Sequence, residues 1–134
     1  MPEQRARKHR QDRVAEALRE EISTMIEGEL SDPRISFCYI SEVAMNPGNK
    51  SARVYVAIDG GLDEETQTLE GLIAARGYIR HELAERLAMR HVPELAFHVD
   101  RSEKLQHRID ELLGRQRKRS KPEGSDTAAR KSAE

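Results

Sequence analysis

The chain has 134 residues, a length that suits one domain and leaves little for a second hydrophobic core. Charged residues make up 35% of the chain and aromatic residues only 4%, and its apolar runs are too short to span a bilayer. The net charge is −1, but residues 1–13 carry +3, residues 14–114 carry −8 and residues 115–134 carry +4. Two basic ends on an acidic body favour a polyanionic partner.

The first half of the chain predicts a helix followed by a hairpin. Residues 1–10 are polar and charged, and we expect them to form a mobile basic arm. In residues 11–30 apolar side chains recur at steps of three and four, the pattern of an amphipathic helix, and Pro33 stops it. Residues 35–45 and 53–58 have strand patterns, and the turn signal at residues 46–49 predicts an antiparallel hairpin.

The second half predicts two helices joined by a bend, then a strand and a last helix. Acidic residues 63–65 begin a helical pattern that continues to Arg90, and it shifts at Ala75-Arg76-Gly77, which we interpret as a bend. Residues 95–99 form a short strand pattern, and Asp100 and Glu103 have the spacing of a capping box. The last helix is expected to stop at Gly114 and to face inward with Leu105, Ile109, Leu112 and Leu113.

These elements predict an α+β fold with a three-stranded sheet and helices on one face. The order is helix, strand, strand, helix, kink, helix, strand and a C-terminal helix. Residues 115–134 contain few large apolar side chains, so we expect a disordered basic tail.

Patterns that could indicate an enzyme are weak. His81-Glu82 begins like a zinc-protease helix, but Glu85 stands where the second histidine ligand is needed. The acidic pair Glu64-Glu65 is interpreted as solvated helix-start charge, and Cys38 as a buried, inert thiol. A single cysteine cannot form an internal disulfide, and no secretory signal is apparent, so we expect a cytoplasmic protein. No catalytic residue, metal site or cofactor is predicted.

Nucleic-acid binding has better support, because lysine and arginine in the two basic ends can neutralise phosphates. At the predicted bend, Gly77 would let a phosphate backbone approach, and the next helix would offer free amide donors. Arg76 and Arg80 lie one turn apart beside it. A simple packing bend with solvated arginines fits the spacing equally well. A helix-turn-helix DNA-binding regulator is a further alternative, although Ile73 occupies the position where that motif prefers a small residue.

Five stretches of the sequence, taken together and in order, resemble the bacterial ribosome-binding factor A family. The resemblance covers about residues 3–113, and no GxxG motif occurs anywhere in the chain. The matching stretches are residues 13–22, Asp32-Pro33-Arg34, residues 52–56, residues 75–80 with Leu83, and residues 90–100.

The resemblance implies a type II KH-like domain over residues 11–114, in which an Ala-x-Gly kink replaces the GxxG loop. It implies a non-enzymatic assembly factor, here expected to be a monomer. Such a factor binds the free 30S subunit and 16S rRNA and assists late maturation and 5′-end processing. It supports growth in the cold and is released with the help of an assembly GTPase. With the kink and the basic ends, the resemblance leads us to expect RNA-binding residues at the kink, further affinity from basic residues near the N-terminus, and secondary contacts near the hairpin. These are Ala75, Arg76, Gly77 and Arg80, then Arg5, Arg7, Lys8, Arg10 and Arg13, and lastly Arg34 and Arg53.

Overall fold

A computed structural model describes residues 2–120 of the chain, with the side chains of residues 5–114 except Arg7. The chain divides into two compact units, one ending at Asp100 and one beginning at Arg101. None of the described helices is long and apolar enough to cross a membrane. The elements are α1 (Pro2–Gly28), β1 (Cys38–Met45), β2 (Ser51–Ile58), α2 (Leu62–Ala74), α3 (Arg76–Arg86), β3 (Glu94–Val99) and α4 (Ser102–Ser120).

The three strands form one mixed sheet in the order β1-β2-β3. β1 and β2 pair antiparallel, which confirms the predicted hairpin, and β3 pairs parallel to β2. A bulge interrupts the β1 register between Ile40 and Glu42. There the Ser41 hydroxyl donates a hydrogen bond to the Asp100 carboxylate over 2.6 Å, and Asp100 also donates its backbone N–H to the carbonyl of Val56. The predicted α+β class is confirmed.

One face of the sheet carries the core of the first unit. In β2 the alternating residues Val54 and Val56 are completely buried, and the α1 stripe supplies Leu18, Ile22 and Met25. Burying an aliphatic side chain of this size contributes about 1.5–3 kcal/mol, so this face accounts for much of the stabilisation. Leu72 of α2 and Ile79 and Leu83 of α3 belong to the same cluster.

The segment expected to form a mobile arm is helical from Pro2 onward, where α1 begins. Proline suits the first position of a helix. Arginine, lysine, glutamine and alanine, which dominate the following residues, all have good helix propensity. Nothing in this composition stops the helix from extending beyond the apolar stripe.

The helix ends also differ from the predictions. α3 ends at Arg86 rather than near residue 90, because Ala88 adopts a left-handed backbone with φ 50°. Gly114 does not end the last helix, which continues to Ser120 through residues of good helix propensity. The part of the predicted tail from residue 121 lies outside the described residues.

Two predictions of burial are wrong. Glu65 is only 4% exposed, because it lies on the inward stripe of α2 with Thr68 and Leu72. Along α4, the residues expected to face inward are all exposed, since helical periodicity identifies an apolar face but not a surface for it to pack on. These are Leu105, Ile109, Leu112 and Leu113. The buried state of Cys38 is confirmed, and burial raises the pKa of its thiol.

Replacing Gly71 with Ala is expected to lower the free energy of unfolding by about 1 kcal/mol. A Cβ there would lie 2.6 Å from Cγ1 of Ile35. Overpacking costs about 1–3 kcal/mol, and better helix propensity returns about 0.5–1 kcal/mol. Urea denaturation measures the difference. The control is Gly28→Ala, where a Cβ would meet no atom within 4 Å; an equal loss in both variants would show that the contact with Ile35 is not responsible.

Candidate nucleic-acid interface

The junction between α2 and α3 is a single non-helical residue, Ala75, which confirms the predicted bend. Its φ and ψ are −86° and −2°. Its N–H donates to the carbonyl of Gly71 over 3.0 Å, and its carbonyl accepts from the N–H of Ile79 over 2.9 Å. No side chain caps the start of α3, although the first N–H groups of a helix have no acceptor within it. The first turn of α3 therefore offers amide donors without a side-chain acceptor.

Because residue 77 is glycine, no side chain at this position covers the backbone at the start of α3. The residue is exposed, its φ is not positive, and a Cβ built on it would meet no atom within 4 Å. Neither packing nor backbone conformation within the described structure therefore requires glycine here. This differs from Gly71, where Ile35 fills the space that a side chain needs.

Arg80 lies along the start of β3. Its Nε donates to the carbonyl of Pro93 over 3.2 Å and its Nη2 to the carbonyl of Val92 over 2.9 Å. Its Nη1 is 3.5 Å from a carboxylate oxygen of Glu94. The side chain is 35% exposed, so part of the guanidinium still faces solvent. Arg80 thus has a structural role that its spacing from the kink does not indicate.

Arg76 follows the same edge one turn earlier. Its Nη1 reaches the carbonyl of Leu95 at 3.5 Å, the limit of a hydrogen bond. Arg76 thus covers a carbonyl of the edge strand β3, and Arg80 covers the two carbonyls that directly precede this strand. The structure therefore brings these two predicted RNA-binding residues together, close to the kink.

The basic residues near the N-terminus occupy the first turns of α1. Arg5, Lys8, Arg10 and Arg13 are exposed, while the side chain of Arg7 lies outside the described residues. Arg10 also lines a pocket with Pro93, whose carbonyl accepts the hydrogen bond from Arg80. One loop thus links the basic end of α1 to the arginines of α3.

Arg34 is placed elsewhere, in the loop between α1 and β1. Its Nη2 and Nε donate to the Asp32 carboxylate over distances of 2.6 to 3.2 Å. These hydrogen bonds lower the pKa of Asp32 to about 2. The pair is local to the loop, so most of the Arg34 fork is already occupied by a carboxylate.

Arg53 lies on the sheet face opposite the core. Its guanidinium carbon is 6.0 Å from the ring centroid of Tyr55, and that ring lies 5.6 Å from the His98 ring. The side chains of Arg53 and Tyr55 both point outward, because the two residues are two positions apart in β2 and alternate strand residues lie on the same face. Arg53 therefore belongs to a different surface from Arg76 and Arg80.

A network of charges that the sequence analysis missed fixes α3 on α1. Arg86 pairs with Glu29, with Glu82 at 3.0 Å and with Glu21 at 3.7 Å. The hydroxyl of Tyr78 donates to Glu29 over 2.8 Å. The Arg86 and Tyr78 hydrogen bonds lower the pKa of Glu29. Only the Glu82–Arg86 pair, at i,i+4 spacing, carries a signal in the local sequence.

Comparisons with known proteins agree on one family. The family model for ribosome-binding factor A matches residues 10–113. A ribosome-binding factor A from Koribacter versatilis is 53% identical over 119 residues, covering 89% of this chain and 97% of that relative. The crystal structure of ribosome-binding factor A from Thermus thermophilus is similar with a TM-score of 0.62 and 25% identity, covering 69% of this chain and 97% of the other.

A second similar structure comes from a ribosomal complex. It is a homology model of the Thermus thermophilus factor fitted into the cryo-EM map of a 30S complex. Its TM-score is 0.54 at 26% identity, and the match covers 64% of this chain and 90% of the other.

Replacing Arg80 with Met is expected to lower the free energy of unfolding by about 1–3 kcal/mol, because two carbonyls lose charged donors. Arg80→Lys should recover only part of this loss, since an ammonium does not reproduce the fork that spans both carbonyls. Arg76→Met, which removes one long hydrogen bond, should have the smaller effect. Urea denaturation ranks the three variants, and equal stability of Arg80→Met and the wild type would contradict this role.

The fold is expected to lose stability in acid as Glu29 and Asp32 become protonated. Both pKa values are lowered in the folded state, from 4.5 and 3.8 respectively. Their stabilising contribution is complete above those values and is lost as the pH falls through the folded-state pKa, about 2 for Asp32. The urea midpoint of Glu29→Gln and Asp32→Asn, measured from pH 6 down to about pH 2, should fall less than that of the wild type. Parallel curves would contradict the assignment.

Proposed function

The chain belongs to the ribosome-binding factor A family, and we propose that it is an assembly factor that binds the free 30S subunit through 16S rRNA. The matched region, residues 10–113, contains the α2–α3 kink and both arginines of α3. The observation that carries the proposal is the bare start of α3, with Gly77 open and no side-chain cap. The Thermus thermophilus factor fitted into a 30S map supports the choice of partner.

The kink surface suits a phosphate backbone. Free amides at a helix N-terminus and the positive end of the helix dipole both favour an anion. The absence of a Cβ at Gly77 removes the first obstacle to close approach. Arg76 and Arg80 would add the guanidinium donors that their bonds to β3 leave available. Ala75 and Gly77 are therefore proposed to admit the RNA backbone, and Arg76 and Arg80 to pair with it.

The charge distribution along α1 supports an anionic partner independently. Basic residues crowd its first half, whereas glutamates 16, 20, 21 and 27 occupy the second half and no basic residue lies in the last turn. The helix dipole favours the reverse arrangement, by about 0.3–1 kcal/mol for each charge in a terminal turn. Helix stability therefore does not account for this order. Phosphate binding would account for the basic residues at the start of α1. We assign this role to Arg5, Arg7, Lys8, Arg10 and Arg13, with Arg34 and Arg53 as additional contacts.

The finer activity follows the family resemblance. We propose that the protein assists late maturation and 5′-end processing of 16S rRNA by occupying the immature subunit, without catalysing the cleavage itself. It would act in the cytoplasm as a monomer, support growth in the cold and leave with the help of an assembly GTPase. The buried Cys38 thiol, whose pKa is raised, is unsuited to act as a nucleophile.

The helix-turn-helix alternative has less geometric support. That motif joins its helices through a turn of three or four residues, whereas Ala75 alone separates α2 from α3. α2 and α3 also lie between strands that pair in one sheet. We therefore propose recognition of RNA rather than of duplex DNA.

Gly77→Ala and Arg76→Glu are expected to weaken binding to free 30S subunits while leaving the protein folded. The added methyl group obstructs the approach of a phosphate, and the new carboxylate repels it. Gly77→Ala should also keep or raise the free energy of unfolding, by up to about 1 kcal/mol, since alanine is the better helix former. Co-sedimentation with purified 30S subunits gives the affinity.

Gly28→Ala is the matched control, because it is another glycine with open space around it and lies at the end of α1. It should bind 30S subunits like the wild type. Unchanged binding of both Gly77→Ala and Arg76→Glu would remove the kink from the interface. If the wild-type protein did not co-sediment with 30S subunits, the function itself would be wrong.

A further inference from the structure

A pocket of about 460 Å³ opens in the first unit, and none of its described lining residues belongs to the kink. Its volume lies within the range of small-ligand sites, about 300–1,000 Å³. Three segments meet there: the first half of α1, the turn between β1 and β2, and the connection from α3 to β3. The lining residues are Arg10, Gln11, Val14, Met45, Asn49, Met89, His91 and Pro93.

Half of the lining residues are apolar and half are polar. Val14, Met45, Met89 and Pro93 are apolar, and the methionines can adapt to an irregular flat surface. The polar lining residues are arginine, histidine and two carboxamides, and none is acidic in a chain with 24 Asp and Glu. The described lining therefore offers an apolar floor together with donors and acceptors, and it contains no carboxylate.

The polar groups are available for a ligand. Within the described residues, the only hydrogen bond from the Arg10 guanidinium is a 3.4 Å contact of Nε with the carbonyl of Ala6. Arginine has five N–H donors, so most remain free. The carboxamides of Gln11 and Asn49 each provide both donors and acceptors, as required by the edge of a base.

Charges next to the lining residues are mixed but mainly positive. Arg13, Lys50 and Arg90 are exposed neighbours in the sequence. On the acidic side are Asp12 and Glu94, and Glu94 already faces Arg80 at 3.5 Å. These sequence neighbours are three basic and two acidic residues, and together with Arg10 in the lining the balance of charge favours an anionic ligand, in contrast to the acidic second half of α1.

Backbone strain also marks this region. Among the described residues, Asn49 and Ala88 are the only non-glycine residues with positive φ, at 60° and 50°. Asn49 lines the pocket, and Ala88 immediately precedes Met89, which lines it as well. Left-handed backbone is unfavourable for alanine, and such strain accumulates at functional sites. Here it turns the chain so that Asn49 and Met89 enter the same cavity.

We propose that this pocket holds one unpaired nucleotide of single-stranded rRNA, an inference that rests on the proposed function. An unstacked base has apolar faces and a polar edge, and it is flanked by phosphates. The apolar residues would contact its face, Gln11 and Asn49 its edge, and Arg10 and His91 the ring or the adjacent phosphate. An inorganic anion would not form apolar contacts with the methionines, and an apolar ligand would not form hydrogen bonds with the guanidinium and the carboxamides.

The methionine methyl groups provide the test. The full chain, labelled with ¹³C at the methionine methyls, is titrated with single-stranded RNA hexamers of each base. Met45 and Met89 line the pocket, whereas Met25 is completely buried in the core and serves as an internal reference. We expect the Met45 and Met89 signals to shift and that of Met25 to remain. Inorganic phosphate and duplex RNA should leave all three unchanged.

The double variant Gln11→Ala/His91→Ala should weaken hexamer binding on the order of tenfold. Its Met25 signal shows whether the core is intact. Gln67→Ala/His107→Ala is the matched control, because it removes the same residue types at exposed positions outside the pocket lining, and it should bind like the wild type.

Three results would overturn the nucleotide pocket: no shift of Met45 and Met89 with any hexamer, an equal shift with phosphate alone, or an equal shift with duplex RNA. The same wild-type preparation is sedimented with free 30S subunits. Co-sedimentation together with any of those three results would reject the pocket and retain the assembly function. Hexamer shifts without co-sedimentation would reject the assembly function and retain a single-stranded RNA site.

Discussion

The parallel pairing of β2 with β3 is the constraint on which the rest of the first unit depends. Parallel neighbours need a crossover that carries the chain back along the sheet, and α2 and α3 provide it. A straight helix over residues 62–86 would be about 37 Å long at 1.5 Å per residue. β2, with eight residues, is about 26 Å long. The kink at Ala75 divides this crossover into two shorter helices, and Leu72 and Ile79 on either side of it both belong to the core cluster. The helix start at the kink thus lies within the crossover that the sheet topology requires.

The same crossover explains why the arginines of α3 have two roles. β3 is an edge strand, and edge strands present backbone groups that need cover. Arg80 covers the carbonyls of Val92 and Pro93, while on another side of α3 Arg86 and Tyr78 are fixed to Glu29. α3 is therefore held from two directions, and its first turn is presented on a rigid support. Rigid supports of this kind favour precise binding geometry. In this arrangement a change at Arg80 alters the support as well as the surface.

Much of the fold could be predicted from the sequence because the signals are local. The alternation of Val54 and Val56, the turn at residues 46–49 and the shift of pattern at Ala75 each depend on a few neighbouring residues. The extension of α1 to Pro2 could not be predicted, because basic helix formers without an apolar stripe also compose mobile arms. The burial of Glu65 and the exposure of Leu112 depend on which surface a helix face meets, which periodicity does not specify.

In the candidate site, too, the features that depend on neighbouring residues could be predicted and the contacts between distant segments could not. The spacing of Arg76 and Arg80 predicts that they lie together, and the structure places them so. Their bonds to β3 and to the residues just before it join residues 12 to 19 positions apart, and no local pattern indicates such contacts. The pocket could not be predicted from the sequence either, because its lining residues come from three separate segments of the chain. For Arg53, strand alternation predicts that the side chain points outward. It does not predict that this side of the sheet is a different surface from that of the kink.

The distribution of charge has a consequence for orientation that the net charge of −1 conceals. The basic end of α1 adjoins the pocket, and the acidic residues follow on the same helix. A nucleic-acid backbone displaced along α1 toward its C-terminus would exchange Arg10 and Arg13 for Glu20 and Glu27. Unfavourable charge contacts of this kind suppress wrong binding modes more than favourable ones strengthen the right mode. For the proposed RNA-binding function, this repulsion disfavours a backbone that lies along the acidic second half of α1 and favours one at its basic first half.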